Sequence, residues 1–253
     1  MGARGVGGCI GGPNQKAGAA ARAFETQAEV AALSPNALQA LDALRRDWEP
    51  RFRQFVASRP GADPGHGLMH LERVVATAVR LAAEEQARLE IVLPAAWLHD
   101  CVHIAKNSTD HGRASQLAAE QAEKFLREAG YPPMHLPEIR HAIEAHSYSA
   151  GIDPRTIEAK VVQDADRLDA LGAIGVARCI AVGAALGRPL YEPKDPFCAS
   201  RAPDDNGASV DHFYSKLLKL AGTMQTGAGR KEAERRTAFV HAFIAQLETE
   251  IGP

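Results

Sequence analysis

Apolar residues along this chain recur at helical rather than alternating spacing, in segment after segment. Ser34-Pro-Asn supplies a hydroxyl cap with Pro at the first turn, and Leu38, Leu41 and Leu44 then share one face. Pro60-Gly-Ala-Asp-Pro64-Gly interrupts the pattern. Leu71, Val74, Val75, Ala78, Val79 and Ala82 restore it and predict a helix over 66–85, with His66 and His70 four apart on one face. A third helix is predicted over 89–102, carrying Pro94 in its early part where the missing N–H matters least. Residues 115–128 and 136–147 read as two more, separated by Gly130-Tyr-Pro-Pro.

The longest predicted helix covers 159–185, with Val161, Val162, Ala165, Leu168, Leu171, Ile174 and Val176 as its apolar side and Asp164, Asp166 and Asp169 on its polar side. Gly172 and Gly175 within it either admit a close neighbour or mark a kink. Helices over 211–224 and 231–250 close the chain.

Two stretches lack a period. Residues 1–24, rich in Gly and Ala, are expected to be a flexible N-terminal segment without chemistry, leaving 25–253 as a single domain. Residues 187–209 carry Pro189, Pro193, Pro196 and Pro203 and are expected to form a long loop, mobile and covering a substrate entrance. The expected fold is all-α, with a metal-site core at about 60–185 and C-terminal helices over 210–250. Few aromatics, at 6%, and abundant Ala, Leu, Glu, Arg and Gln agree with helices over sheets.

Charge narrows the partners. With 29 basic and 31 acidic side chains, nothing in the balance favours a nucleic-acid or membrane surface, so any phosphate site must be a local cluster. No window approaches the roughly 20 apolar residues of a membrane span. The opening residues lack the apolar stretch of a signal peptide, and Val6 stands where myristoylation at Gly2 needs Ser or Thr. Cys9, Cys101, Cys179 and Cys198 form no CxxC pair, so reduced thiols and a cytoplasmic location are expected.

The chemistry lies in three strings: His70-Leu-Glu-Arg73-Val74, the pair His99-Asp100 closing an apolar run, and Asp164-Ala-Asp166-Arg-Leu-Asp169. Imidazoles and carboxylates make a nitrogen and oxygen donor set suited to first-row divalent ions or Mg²⁺. An ionised Asp100 beside Leu93-Pro-Ala-Ala-Trp-Leu98 needs a partner, which a metal or a basic side chain supplies.

In their order these strings resemble the HD-domain metal-dependent phosphohydrolases, in the bacterial branch that carries Asp-Ala-Asp-Arg-Leu-Asp-Ala. The resemblance extends over about 60–240 through Asp63-Pro-Gly-His66, Arg113-Ala-Ser115, His146-Ser-Tyr-Ser and His212-Phe-Tyr-Ser-Lys216-Leu-Leu-Lys219-Leu. It implies an HD helical bundle with a C-terminal helical extension. It also implies one divalent ion per chain, Mn²⁺ favoured over Mg²⁺, Fe²⁺, Co²⁺, Zn²⁺ or Ni²⁺, held by His70, His99, Asp100 and Asp166. The reaction implied is hydrolysis of a phosphate ester or anhydride, most often of a nucleotide.

Within that frame Asp100 or Asp169 steers the proton of the attacking water, and Lys106, seven residues after His99, stabilises phosphoryl charge. His66, Arg113, His141, His146 and Lys216, together with Lys106, are the candidate substrate contacts. Asp164 reads as a solvated acid pairing with Arg167. His103 and Gly67 depart from the pattern expected of relatives, and neither is a ligand. Pyrophosphohydrolysis of a nucleoside triphosphate is preferred to dephosphorylation of a monophosphate. A regulatory module that binds metal and nucleotide without turnover is the alternative from another class. A homodimer is compatible with all of this.

Overall fold

The computed structural model describes residues 33–59, 67–104 and 111–252, and these form an all-α bundle without strands among the described residues. In chain order the helices are α1 (Pro35–Ala57), α2 (Leu68–Glu85), α3 (Leu89–Leu98), α4 (Ala114–Glu128), α5 (Leu136–His146), α6 (Ile157–Leu168) and α7 (Gly172–Ala185). A helical run follows, π-wound over Phe213–Leu217, α over Leu218–Leu220 (α8) and 3-10 over Ala221–Thr223, before α9 (Gly227–Ile251). Among the described residues no single helix is long and apolar enough to cross a membrane. The N-terminal segment 1–24, His66 and Lys106 lie outside the described residues.

Helix α3 organises the bundle. Nine of its ten residues are buried, Glu90 in the first turn being the exception, which suits a sequence otherwise apolar all round, and it packs against α1, α2, α4, α5 and α6. Aromatic side chains fasten α1 to this core: Trp48 meets Tyr131 edge-on at 4.6 Å between centroids, and Phe55 stacks on Phe125 at 4.1 Å.

Helix α3 is shorter than the sequence pattern suggests. It ends at Leu98 rather than near 102, because the His99 ring turns back to the Ala96 carbonyl at 2.8 Å, and His99 and Asp100 lie on the turn that follows. Helix α2 likewise begins at Leu68, with Gly67 as its N-cap, so the described helix does not extend back to His66.

The predicted helix over 159–185 is two helices, α6 and α7, bent by 60° at the intervening turn. Gly172 takes φ +70°, a left-handed conformation that L side chains rarely adopt, and so marks the kink, whereas Gly175 admits the Ala170 carbonyl, which a Cβ there would meet at 2.2 Å. The Leu168 carbonyl at the end of α6 accepts from Arg236 at 2.7 Å, a cap donated by α9.

Asp164 is a further departure, since it is not a solvated acid paired with Arg167. It is fully buried and accepts from the backbone N–H of Gln225 (2.9 Å), the backbone N–H of Thr226 (2.8 Å) and the Thr226 hydroxyl (2.7 Å). Thr226 in turn caps α9 by accepting from the Gly229 N–H at 2.9 Å. A Cβ on Gly229 would stand 2.3 Å from Asp164 Oδ2, so this clip admits only glycine there. Burial raises the Asp164 pKa against the pull of these donors.

The 187–209 segment is irregular, as composition predicts, but it is tied rather than free. Ser209 and Val210 donate to the Pro189 and Leu190 carbonyls at 3.0 and 2.9 Å, Asp195 accepts from the N–H groups of Ala199 and Ser200, and buried Asp211 accepts from Arg201 and from the Asp204 N–H. The segment expected to be a mobile cover is thus internally hydrogen-bonded, with ties that are local to it.

Removing the Asp164 clip leaves the buried N–H and hydroxyl of Thr226, and the part-buried N–H of Gln225, without this acceptor. Asp164→Ala is therefore expected to cost about 2–4 kcal/mol, lowering Tm by roughly 4–15 °C in a thermal melt. An unchanged melting curve would show that α9 docks by apolar packing alone.

Candidate metal centre

His70 lies in the first turn of α2, His99 and Asp100 on the turn ending α3, His146 at the last position of α5 and Asp166 in the last turn of α6. Three helices thus bring their C-terminal ends, where unsatisfied carbonyls leave partial negative charge, to one place. Among the described residues, one ligand atom from each of His70, His99 and Asp100 falls within 4.8 Å of the others. Asp166 Oδ1 stands 3.5 Å from His70 Nε2 and 3.6 Å from His99 Nε2. Asp100 Oδ2 is 3.9 and 3.8 Å from the same two nitrogens.

The opposite ring nitrogens explain this aim. His99 Nδ1 donates to the Ala96 carbonyl at 2.8 Å and His146 Nδ1 to the Ile143 carbonyl at 2.6 Å, acceptors that require the proton on Nδ1. His70 Nδ1 meets Asp169 Oδ2 at 2.7 Å. In each neutral ring the lone pair is then on Nε2, the nitrogen that faces the acids. The buried His99 Nε2 makes no hydrogen bond. A polar atom buried without a partner, beside two carboxylates at distances too long for hydrogen bonds, fits a cation between them.

Charge agrees with geometry. Burial disfavours the charged form of His70, yet hydrogen bonds and charge from Asp166 and Asp169 outweigh it and raise its pKa to about 9. His99 is raised too, burial being overcome by Asp100 and Asp166. Against the same burial, Asp100 is held below the usual carboxylate range by His99 and His146, and Asp166 well below it by His70 and His99. The centre calls for positive charge, which bound protons or a metal ion can provide.

Asp169 has a separate task. It is buried, and besides His70 it accepts from Arg73 Nε at 2.7 Å, Arg73 Nη2 at 3.0 Å and Arg178 Nη1. The carboxylate so held fixes the orientation and tautomer of His70. Arg73 and Arg178 were not among the site residues expected from sequence. Arg73 stands three residues after His70, one turn along α2, so its neighbourhood was visible in the helical pattern; Arg178 lies on α7, and no local signal marks it.

The remaining candidates divide. His146 joins the cluster, its Nε2 3.4 Å from Asp100 Oδ1 and its ring edge-on to His99 at 4.8 Å. His141 is engaged elsewhere: its Nε2 accepts the backbone N–H of Arg155 at 3.0 Å. Arg113, on the short turn before α4, and Lys216, on the π-wound run, are exposed and make no ion pair with the cluster.

Comparison with known proteins places these residues in a familiar setting. An HD domain family model matches residues 67–171. The YpgQ protein of Bacillus subtilis is 33% identical over 191 residues, 74% of this chain and 85% of that protein. The crystal structure of YpgQ in complex with ADP superimposes with a TM-score of 0.60, covering 79% of this chain and 93% of that one. An HD-superfamily hydrolase from Bacillus thuringiensis, 34% identical, superimposes at 0.62 over 81% of this chain and 97% of its own.

Two outcomes follow for metal binding. Asp169→Asn, which takes charge from the partner of His70, is expected to weaken Mn²⁺ binding by about 10–100-fold, read by calorimetry. Because His70 must shed its proton to accept an ion, Mn²⁺ affinity is expected to rise with pH up to its raised pKa of about 9. A flat pH profile together with wild-type affinity in the variant would remove His70 and Asp169 from the ion's surroundings.

Proposed function

Since the chain belongs to the HD domain family, we propose that it is a metal-dependent phosphohydrolase acting on a nucleotide, with cleavage of a nucleoside triphosphate to monophosphate and pyrophosphate as its reaction. The observation that carries this reading is the convergence of His70 Nε2 and His99 Nε2 on the carboxylates of Asp100 and Asp166. The nucleotide is supported by the ADP complex of YpgQ, a relative at 33% identity.

His70, His99, Asp100 and Asp166 would hold the divalent ion, Mn²⁺ first among the candidates. Bound there, the ion supplies polarisation of a phosphoryl oxygen and a lowered pKa for water. The chain's own groups do the rest. The side chains of Asp100 and Asp166, 23% and 28% exposed, open the cluster to solvent, whereas His70 and His99 are buried behind them. Substrate and water therefore approach from the carboxylate side.

Asp100 takes or steers the proton of the attacking water. His146, held with its proton on Nδ1, offers Nε2 beside Asp100 Oδ1, and a proton placed on that nitrogen bridges to the carboxylate and can pass toward the leaving oxygen. Asp169, whose oxygens are taken by His70, Arg73 and Arg178, positions His70 and does not serve as the base. Lys106 is assigned to the charge on the phosphoryl oxygens, and His66, Arg113 and Lys216 to outer phosphate contacts. His141, committed to the Arg155 amide, is assigned no substrate role.

A panel of nucleoside mono-, di- and triphosphates assayed with Mn²⁺, Mg²⁺, Co²⁺ and Zn²⁺, with phosphate and pyrophosphate detected separately, tests the reaction. Pyrophosphate release from a triphosphate with the chelated enzyme silent is the expected result. Phosphate released from a monophosphate would move the reading to a phosphatase, and nucleotide binding without turnover would move it to a regulatory module.

Two substitutions separate the metal shell from the phosphate contact. Lys106→Ala is expected to keep metal and lose about 10²–10³-fold in kcat. Asp166→Ala is expected to lose metal and activity together. A Lys106→Ala enzyme within about twofold of wild type would mean that Lys106 is a solvated surface charge.

A further inference from the structure

Behind His70, on the side away from the acids that face its Nε2, a groove runs between α2, α7 and α9. Two adjoining cavities of about 390 and 380 Å³ share Ala76, Thr77, Arg235 and Arg236 as walls. Asp169 reaches the second of them, but His99, Asp100 and Asp166 line neither. Because Asp169 meets the Nδ1 side of the His70 ring, the ring itself stands between this groove and the metal ligands.

The groove has a surplus of positive charge. Glu232, 8% exposed, accepts from Arg235 at 2.8 and 2.9 Å and from Arg236 at 2.7 Å, with Arg80 3.4 Å away. One carboxylate thus serves three guanidiniums, and against its burial they lower its pKa to about 2. Beside it, Asp169 is shared by Arg73, Arg178 and His70. Arg80 is the loosest member: its contacts are the 3.4 Å approach to Glu232 and one of 3.6 Å to Glu84, so its N–H groups donate no hydrogen bond among the described residues. An ordinary solvated ion-pair network balances its charges; this one leaves donors free beside a concave wall.

At the other end the lining is apolar. Phe239 and Ile174 are 46% and 41% exposed, and both face the second cavity next to Arg235 and Arg236. Guanidiniums for an anion and an aromatic ring for a flat apolar group lie side by side, within one groove.

We propose that this groove is a second ligand site, separate from the metal cluster, which binds a nucleoside phosphate with its phosphates among Arg80, Arg235 and Arg236 and its base against Phe239. The site performs no hydrolysis, since it lacks the ligand set. Arg73, which lines the groove and also grips Asp169, is the side chain through which an occupant would be felt at His70.

Photolabelling locates a nucleotide on the chain without depending on turnover. The full-length protein with Mn²⁺ is irradiated with 8-azido-ADP, and its labelled peptides are mapped. The expected result is saturable labelling of the α9 peptide containing Phe239, suppressed by excess ADP and reduced roughly tenfold or more in an Arg80→Gln/Arg235→Gln variant. Labelling of peptides from the metal cluster should be the same in both proteins. Should the double variant fold poorly, Arg235→Gln alone suffices, as that side chain is 72% exposed. Label confined to metal-cluster peptides would overturn the proposal. So would α9 labelling that does not saturate or is indifferent to the arginine changes, which would mark the groove as a solvated ion-pair network. Inactivity of the metal cluster toward nucleotides would leave the α9 result standing, so the two readings fail separately.

Discussion

An imidazole faces a cation with a defined lone pair when its second nitrogen is pinned, and the pinning of three histidines is the constraint on which this architecture turns. His99 and His146 are fixed by carbonyls three residues back on their own helices, so helical geometry alone sets their tautomers. His70, at the start of α2, has no preceding turn to bond. Its pin comes from Asp169, 99 residues away, and Asp169 is itself held by Arg73 and Arg178. The first two pins are local and form with their helices, whereas the third exists only when α2, α6 and α7 have packed together. Assembly of the bundle and assembly of the centre are therefore one event.

The segment from Asp164 to Asp169 shows how a short sequence divides its labour. Asp164 and Asp166 are about 200° apart around a helix, while Asp169 returns to within about 60° of Asp166. Asp166 and Asp169 accordingly both meet His70, one at each ring nitrogen, and Asp164 points into the docking site of α9. Three identical side chains become a proposed ligand, an orienting group and a structural clip, and the angle between successive positions decides which is which.

Much of this was legible from the chain. Helical spacing gave the bundle, and the three strings containing His70, His99-Asp100 and Asp166 gave the residues that meet. What failed to show were events that depend on a distant partner. The polar face assigned to Asp164 was wrong because the amides of Gln225 and Thr226, some sixty residues on, compensate its burial. The break between α6 and α7 was ambiguous because periodicity passes through Gly172 unaltered and only its positive φ reveals the bend. His141 and His146 look equivalent in sequence, yet the neighbouring chain at Arg155 satisfies one and leaves the other to face Asp100. Composition described the 187–209 segment only in part, since Pro and Gly content reports the lack of helix but not the acceptors, Asp195 and Asp211, that tie it internally.

The position of the centre follows from the rigidity of α3. A helix buried from Ile91 to Leu98 cannot carry a charged group within that span without a large desolvation cost. After Glu90 in its partly exposed first turn, its next ionisable positions are those just past its end, and there His99 and Asp100 appear. Ending the helix at that point leaves carbonyl groups facing outward, adds to the negative character set by Asp100 and Asp166, and frees Asp100 to remain partly exposed. The apolar run before His99 therefore does more than fill the core. It places His99 and Asp100, the proposed ligand pair, at the boundary between a buried interior and solvent.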